Sequence, residues 1–514
     1  MSKVAKSALG LMIATVLSKF LGFIRELVLG ATYGASNYSD IYITSMNIPT
    51  VLFATIGIAI GTTFIPIYYD NYNNGGDRKS LDFTNNIINI VMVVGTIIAV
   101  LSMIFTEPLV KAFAIGFKGK SLEATILFTR IMIFGGLFIC LGNIMTSFLQ
   151  IKNNFIVPGL IGLPFNIIII ISIILSASIN IYILPVGTLI AMLSQFIFQL
   201  PFAVKKGYKY SFKFNVKDEY IKKMIWLVAP VFIGVAVNQV NSMVDRTLAS
   251  TLGEGAISAL NYANKLNGFI MALFITSIGA VIYPMLSKIS IKDDKNQFIE
   301  TVSKSVNSVL LLVIPISAGA IVLATPIVKL LFQRGAFDSL ATELTSKALM
   351  FYSIGMVSFG LQDILGKVFY SIKDTKTPMI NGAIAMLLNI IFNITVINFM
   401  GISGLALGTS ISTIICTILL FRSLNKKIGY FGQDKIIKTF FKALVASFIM
   451  GIVTHLVYKA LGNVLNQGKI IDIVKLVTSV GVGAMTYGIM IIILKVDEIN
   501  DIIYLVKKKI YKRG

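Results

Sequence analysis

Ten ionisable side chains sit inside long apolar stretches of this sequence: Lys19, Arg25, Glu26, Asp40, Arg130, Asp245, Arg246, Lys265, Asp363 and Lys367. If those stretches cross a membrane, a charge at mid-bilayer costs about 2.5–3.5 kcal/mol, so each needs a partner, water or a purpose. Asp363 and Lys367 are four apart, the spacing of an ion pair on one helix face. Arg130 lies near the end of its stretch and can reach out to the headgroups. Lys19 and Arg25 are harder to account for. Six residues apart, they point about 120° from one another on an ideal helix. Gly22 between them permits a bend that turns both toward one cavity. Lys265 follows Asn264 and has no acidic residue three or four positions away. The expectation is that Lys19, Arg25 and Lys265 line a hydrated cavity that attracts anions, phosphate above all.

A second set is rich in oxygen. Asn389 and Asn393 are one turn apart, and Thr409 and Asp245 lie in other apolar runs. Such donors suit a hard monovalent cation, although polar side chains also serve simply to join helices. Signals for other chemistry are weak. Residues 114–121 read A-I-G-F-K-G-K-S, which lacks the first glycine and the strand-to-helix setting of a phosphate loop. The single histidine, His455, lies in an apolar run and is expected to pack rather than ligate. Cys140 and Cys416 are far apart in apolar runs and read as small core residues. No metalloprotease, nucleophile-elbow or paired-cysteine pattern occurs, so the chain is not expected to be an enzyme or to need an organic cofactor.

The elements that must hold these residues follow from composition. Of 514 residues, 56% are hydrophobic and 13% charged, against roughly a quarter charged in soluble domains. The mean hydropathy is +0.84. That balance excludes a soluble enzyme, a nucleic-acid-binding domain and a disordered scaffold. An all-α integral membrane protein is expected, with about 14 apolar runs long enough to span a bilayer, the first at 7–31 and the last at 473–494. The first run follows Lys3 and Lys6 as a signal peptide would, but it has no small-residue cleavage site and carries charges, so it reads as a retained helix. The net charge of +22 is assigned to loops beside an anionic membrane surface. About 30 of the 45 Lys and Arg residues fall on the side of the N-terminus, including the run Lys507 to Arg513. Roughly nine fall on the other side, which puts both termini in the cytoplasm.

The sequence also repeats itself. Ile60-Gly61…Pro66 recurs as Ile278-Gly279…Pro284, and Pro108-Leu109-Val110-Lys111 as Pro326-Ile327-Val328-Lys329, both at a shift of 218. Phe148…Lys152 recurs as Phe369…Lys373, and Gly187-Thr188 as Gly408-Thr409, both at 221. A duplication of six spans gives two lobes of the same orientation, enclosing a central site that opens to either side. The division read from the repeat is a first lobe over 1–216, a second over 217–432, and two added spans with a basic tail over 433–514.

Several stretches resemble motifs of the MurJ (MviN) family. Ser18-Lys19-Phe20-Leu21-Gly22-Phe23-Ile24-Arg25-Glu26 is similar to its first-helix signature, and Tyr262-Ala263-Asn264-Lys265-Leu266 to its eighth-span motif. Leu331–Phe337 and Phe369–Pro378 are similar as well. The resemblance covers nearly the whole chain and implies a lipid II flippase of the multidrug/oligosaccharidyl-lipid/polysaccharide exporter superfamily, with a V-shaped central cavity. It implies that Lys19, Arg25, Glu26, Asp40, Asn264 and Lys265 bind the cargo, and that Asp245, Asn389, Asn393 and Thr409 hold Na+ as a coupling ion. The implied partners are the polyprenyl-diphosphate-linked glycopeptide, membrane lipids and cell-wall synthesis proteins, with no nucleic acid. The tail of the cargo would lie along spans thirteen and fourteen. Two departures stand out: Ile48–Phe53 carries no arginine, and Lys replaces Arg at 19 and 265, losing the bidentate fork. An exporter of another polyprenyl-diphosphate-linked glycan, or a cation-coupled drug exporter on the same scaffold, is the alternative reading.

Overall fold

The computed structural model describes residues 3–291, 294–465 and 468–498, and the basic run Lys507–Arg513 lies outside them. Every regular element among the described residues is a helix. The first ten are α1 (Lys3–Tyr33), α2 (Asn37–Ile104), α3 (Thr106–Phe113), α4 (Gly119–Met132), α5 (Gly135–Ile151), α6 (Ile156–Leu160), α7 (Gly162–Ser178), α8 (Ile183–Ile197), α9 (Leu200–Lys205) and α10 (Glu219–Ala249). The remainder are α11 (Ala256–Ile291), α12 (Lys295–Val322), α13 (Ala324–Phe332), α14 (Ser339–Ser371), α15 (Lys376–Ile428), α16 (Gln433–Val464) and α17 (Lys469–Ile493).

Nine helical stretches among the described residues are long and apolar enough to cross a membrane. Two of them are too long to cross only once. A straight helix of 68 residues, the length of α2, would run about 100 Å, more than three times a bilayer core of roughly 30 Å. The break in α2 falls at Gly76, with φ 67°, and that in α15 at Gly401, with φ 54°. Only glycine takes such angles without strain, and each lies between two apolar runs, so one long helix serves as two crossings.

By internal packing the chain forms two units: Met1–Ser258 with Arg334–Asp338, and Ala259–Gln333 with Ser339–Gly514. The repeat put the division near 216. The packing boundary comes later because α10 lies against α2 and α3, with Ile221 and Met224 buried in the first unit's core beside Phe64 and Phe148. In the second unit Phe369, Phe431 and Val306 centre the core.

Each half contains the same turn. After α5, Asn153 has φ 58°, the Asn154 N–H donates to Leu149 O at 2.8 Å, and Asn154 Oδ1 accepts the Val157 N–H at 3.4 Å. After α14, Lys373 has φ 60°, the Asp374 N–H donates to Phe369 O at 2.9 Å, and Asp374 Oδ1 accepts the Thr377 N–H at 3.0 Å. These atoms correspond at a shift of 220, one less than letter matching gave. The same shift relates Asn143 and Ser147, which touch Gly61, to Asp363 and Lys367, which touch Gly279.

Candidate functional site

Arg25 projects from α1 into a buried setting. It is 8% exposed. One guanidinium nitrogen contacts Glu26 Oε1 at 2.5 Å, and another donates to Asn166 Oδ1 at 3.1 Å. The cation also lies 5.6 Å from the centre of the Phe165 ring. The sequence reading of Arg25 as an unpaired cavity cation is therefore corrected. Glu26 neutralises it, and Asn166 fixes it to α7. A carboxylate at the next position seldom faces its neighbour on a helix, but the long arginine side chain closes the gap. The pair adds no net charge to the site.

Lys19 has the surroundings that Arg25 lacks. It is exposed and lines a cleft of about 340 Å³ among α1, α5, α6 and the start of α7, with Thr15, Ser18, Thr146, Gln150 and Gly162. It makes no ion pair among the described residues. The Ser18 hydroxyl donates to Gly159 O at 2.7 Å and so ties α1 to α6. Thr15, Thr146 and Gln150 were not singled out from sequence, where lone polar residues in apolar runs look like helix glue.

Asp40, grouped with the cargo ligands by resemblance, is also corrected. It is 1% exposed. Its Oδ2 accepts the Gly255 N–H at 2.7 Å and its Oδ1 the Ser258 N–H at 2.7 Å. Both oxygens are occupied by the otherwise unpaired donors that open α11. Asp40 is the cap of that helix, placed there from α2. Two turns further along α11, the motif at 262–266 divides by face. Tyr262, Ala263 and Leu266 are buried, and Tyr262 packs 5.2 Å from Phe332, whereas Asn264 and Lys265 are exposed.

The oxygen-rich set is split. Asn389 and Asn393 are both fully buried on α15, and Asn393 Nδ2 donates to Asn389 Oδ1 at 3.0 Å. Gly408 packs directly on Asn393: a Cβ there would fall 2.0 Å from its Oδ1. Thr409 follows, half-buried, its hydroxyl donating to Leu405 O at 3.1 Å. Asp245 lies on α10, in the other packing unit. Neutral carboxamide and hydroxyl oxygens fit a monovalent cation better than a divalent one, which demands several carboxylates. Among the described residues no cluster of three His, Cys, Asp or Glu side chains exists.

Asp363 and Lys367 form the ion pair their spacing suggests, and Arg130 is exposed near the end of α4. Cys140 and Cys416 are buried. His455 is exposed on α16, not packed as expected. The second unit also holds an apolar groove of about 1070 Å³ walled by α12, α14, α15 and α16, with Ile314, Phe421, Ile437, Phe440, Phe441 and Phe448 among its lining. Residues of α16 line it and none of α17 does. The segment 114–121 follows a helix, not a strand, and its Gly116 N–H donates to Ser250 Oγ at 2.9 Å.

With this geometry in hand, comparison with known proteins is specific. The family described as lipid II flippase MurJ matches residues 29–473. A probable lipid II flippase MurJ of Vibrio cholerae serotype O1 is 30% identical over 437 residues, covering 82% of this chain and 83% of its own. A solved structure of lipid II flippase MurJ in an inward closed conformation superposes with a TM-score of 0.81 at 28% identity, over 94% of this chain and 99% of its own. An inward-facing multidrug resistance transporter of the MATE family is similar in fold alone, with a TM-score of 0.65 at 12% identity over 81% of this chain and 97% of its own.

Proposed function

Because the chain belongs to the MurJ family of lipid II flippases, we propose that it carries lipid II from the cytoplasmic to the outer leaflet of the bacterial cell membrane. Both termini lie in the cytoplasm, and the chain makes and breaks no covalent bond. The observation that supports this reading best is Lys19. Its ammonium stands exposed in a polar cleft on a helix whose neighbours are apolar, at a position matching the family signature. A lone cation at such a place is costly unless water or an anion offsets it. A diphosphate supplies two such anionic groups.

In that transport Lys19 binds the diphosphate, with the hydroxyls around it on sugar or phosphate oxygens, and Asn264 and Lys265 are cargo contacts of the second unit. Arg25 and Glu26 act one step back, as positioning residues that fix α1 against α7. Asp40 does the same for α11 and thus for Asn264 and Lys265. The polyprenyl tail never leaves lipid and runs in the groove beside α16. The headgroup enters from the cytoplasm and is released outside by alternating access. Direction comes from the membrane potential, worth about 2.3 kcal/mol per elementary charge per 100 mV, or from Na+ held by Asn389, Asn393 and Thr409.

The test uses cells depleted of their own flippase, together with liposomes in which the accessibility of the lipid II headgroup is read directly. Wild type supports growth and exposes the headgroup. Lys19→Ala and Lys265→Ala reach the membrane in normal amount but do neither. Full activity of both variants would remove the cationic grip, and transport of a different polyprenyl-diphosphate glycan in place of lipid II would reassign the cargo.

A further inference from the structure

The connection between α9 and α10 looks like a loose basic linker in sequence, but the structure staples it down. Three asparagines near the start of the second half of α2 hold it in place. Asn85 Nδ2 donates to Lys209 O at 2.9 Å and to Ser211 Oγ at 3.0 Å, while its Oδ1 accepts the Tyr208 hydroxyl at 3.0 Å. Asn86 exchanges two bonds with the backbone of Asn215, at 2.9 and 2.8 Å. Asn89 Nδ2 donates to Lys213 O at 2.9 Å, and its Oδ1 accepts the Tyr210 hydroxyl at 2.8 Å. Asn85, Asn86 and Asn89 are each at most 4% exposed. Buried carboxamides satisfied this fully fix one conformation of the segment they hold.

What the staple presents is specific. Tyr210, Phe212, Phe214 and Val216 are 56%, 77%, 46% and 52% exposed. Interleaved with them, and just before them, stand Lys205, Lys206, Lys209, Lys213 and Lys217, all exposed. Among the described residues only Lys213 of these forms an ion pair, with Asp82 at 3.6 Å. The strap crosses α2 where its polar residues give way to the apolar run from Ile87 onward, and it follows Ile183–Lys205, a stretch long and apolar enough to cross a membrane. Its depth is therefore the headgroup zone, where aromatic rings and lysines partition together.

We propose that residues 205–217 are a preformed anchor for anionic phospholipid of the cytoplasmic leaflet, its lysines on the headgroup phosphates and Phe212 and Phe214 at the acyl boundary. The assignment rests on the orientation given above and not on the identity of the cargo. Anionic lipid fits better than a protein partner because the apolar strip is one strand wide, flanked by cations along its length, and lies beside lipid already. Each lysine at such a surface is worth roughly fivefold in partition at low salt.

The full-length protein can report this itself. Its sequence contains 1 Trp, so Phe212→Trp in a Trp226→Phe background leaves one fluorophore on the strap. The protein is reconstituted in vesicles of phosphatidylcholine and phosphatidylglycerol, with bromine on the acyl chains of one lipid or the other. At equal mole fraction, brominated phosphatidylglycerol should quench at least twice as strongly as brominated phosphatidylcholine. The preference should vanish in Lys205→Gln/Lys206→Gln/Lys209→Gln/Lys217→Gln, and in about 1 M salt, where screening acts within roughly 3 Å. Asn85→Ala/Asn86→Ala/Asn89→Ala should weaken it with every lysine in place. If that triple variant does not fold, the surface lysine variant still decides the matter. Equal quenching by both lipids overturns the anchor. Absence of quenching by either also overturns it and gives the strip to a protein or to water. Transport assays are separate: a chain that fails to move lipid II but shows the quenching preference refutes the cargo and keeps the anchor.

Discussion

Removing the guanidinium of Arg25 should cost the protein its stability before it costs anything in cargo binding. Arg25 and Glu26 are 8% and 2% exposed, and their contact is 2.5 Å. Arg25→Ala leaves a buried carboxylate without its guanidinium and frees the Asn166 Oδ1 that accepted from it. Breaking a buried ion pair from one side costs about 3–5 kcal/mol, because the remaining charge stays desolvated. For a chain this size that is a fall in melting temperature on the order of 4 °C. The readout is thermal unfolding of the purified protein in detergent, alongside its yield in the membrane. The double variant Arg25→Ala/Glu26→Ala removes both charges and should recover half the loss or more, a coupling that a cycle of single and double variants measures directly. Arg25→Lys should fall between, since an ammonium keeps the charge but not the planar fork that reaches Glu26 and Asn166 together. Lys19→Ala, which disturbs no partner, should melt within about 2 °C of wild type. An Arg25→Ala protein as stable as wild type, yet dead in transport, would refute this account and return Arg25 to the cargo.

Asp40→Ala should release the first turn of α11, costing about 2 kcal/mol as the loss of a buried cap does. Faster amide exchange at Gly255 and Ser258 reports it directly, and unchanged exchange there would contradict the cap. Asp374 lies in the turn before α15, outside the apolar spans. Burial alone would raise its pKa, but Lys427 together with the Thr377 hydroxyl and N–H outweighs that and holds it at about 2, below the ordinary 3.8. The stability it contributes is then complete above 3.8 and is lost as pH falls through about 2. With Lys427 half exposed, this amounts to about 1 kcal/mol after screening. Asp374→Asn should abolish that part of the acid transition, measured by unfolding between pH 5 and about pH 2. For the cation site, transport or cargo binding in sodium should exceed that in choline, and Asn393→Ala should erase the difference; identical curves in the two buffers would dismiss Na+.

Much of this was legible before any coordinates. Apolar runs long enough to span a bilayer have one way to satisfy their backbone, so the helices followed from composition. The roles of individual charges were less visible. Asp40 finds its donors 215 and 218 residues along the chain, and Arg25 reaches an asparagine 141 residues away, separations that no local pattern encodes. Asn85, Asn86 and Asn89 were not singled out from sequence, because the segment they bind has no regular structure to announce it. In the structure Asp40 accepts the N–H groups that open α11, and Arg25 bridges α1 to α7.

The matching turns at Asn153 and Lys373 bear on how such a molecule arose. In a pair of identical copies, whatever stands beside the glycine of one stands beside that of the other; a single chain carries no such obligation. Asn143 and Ser147 now fill those stations in the first half, and Asp363 with Lys367 in the second. A symmetric homodimer cannot encode charge on one side and neutrality on the other, so the two copies were free to diverge in their tasks once a single chain carried both.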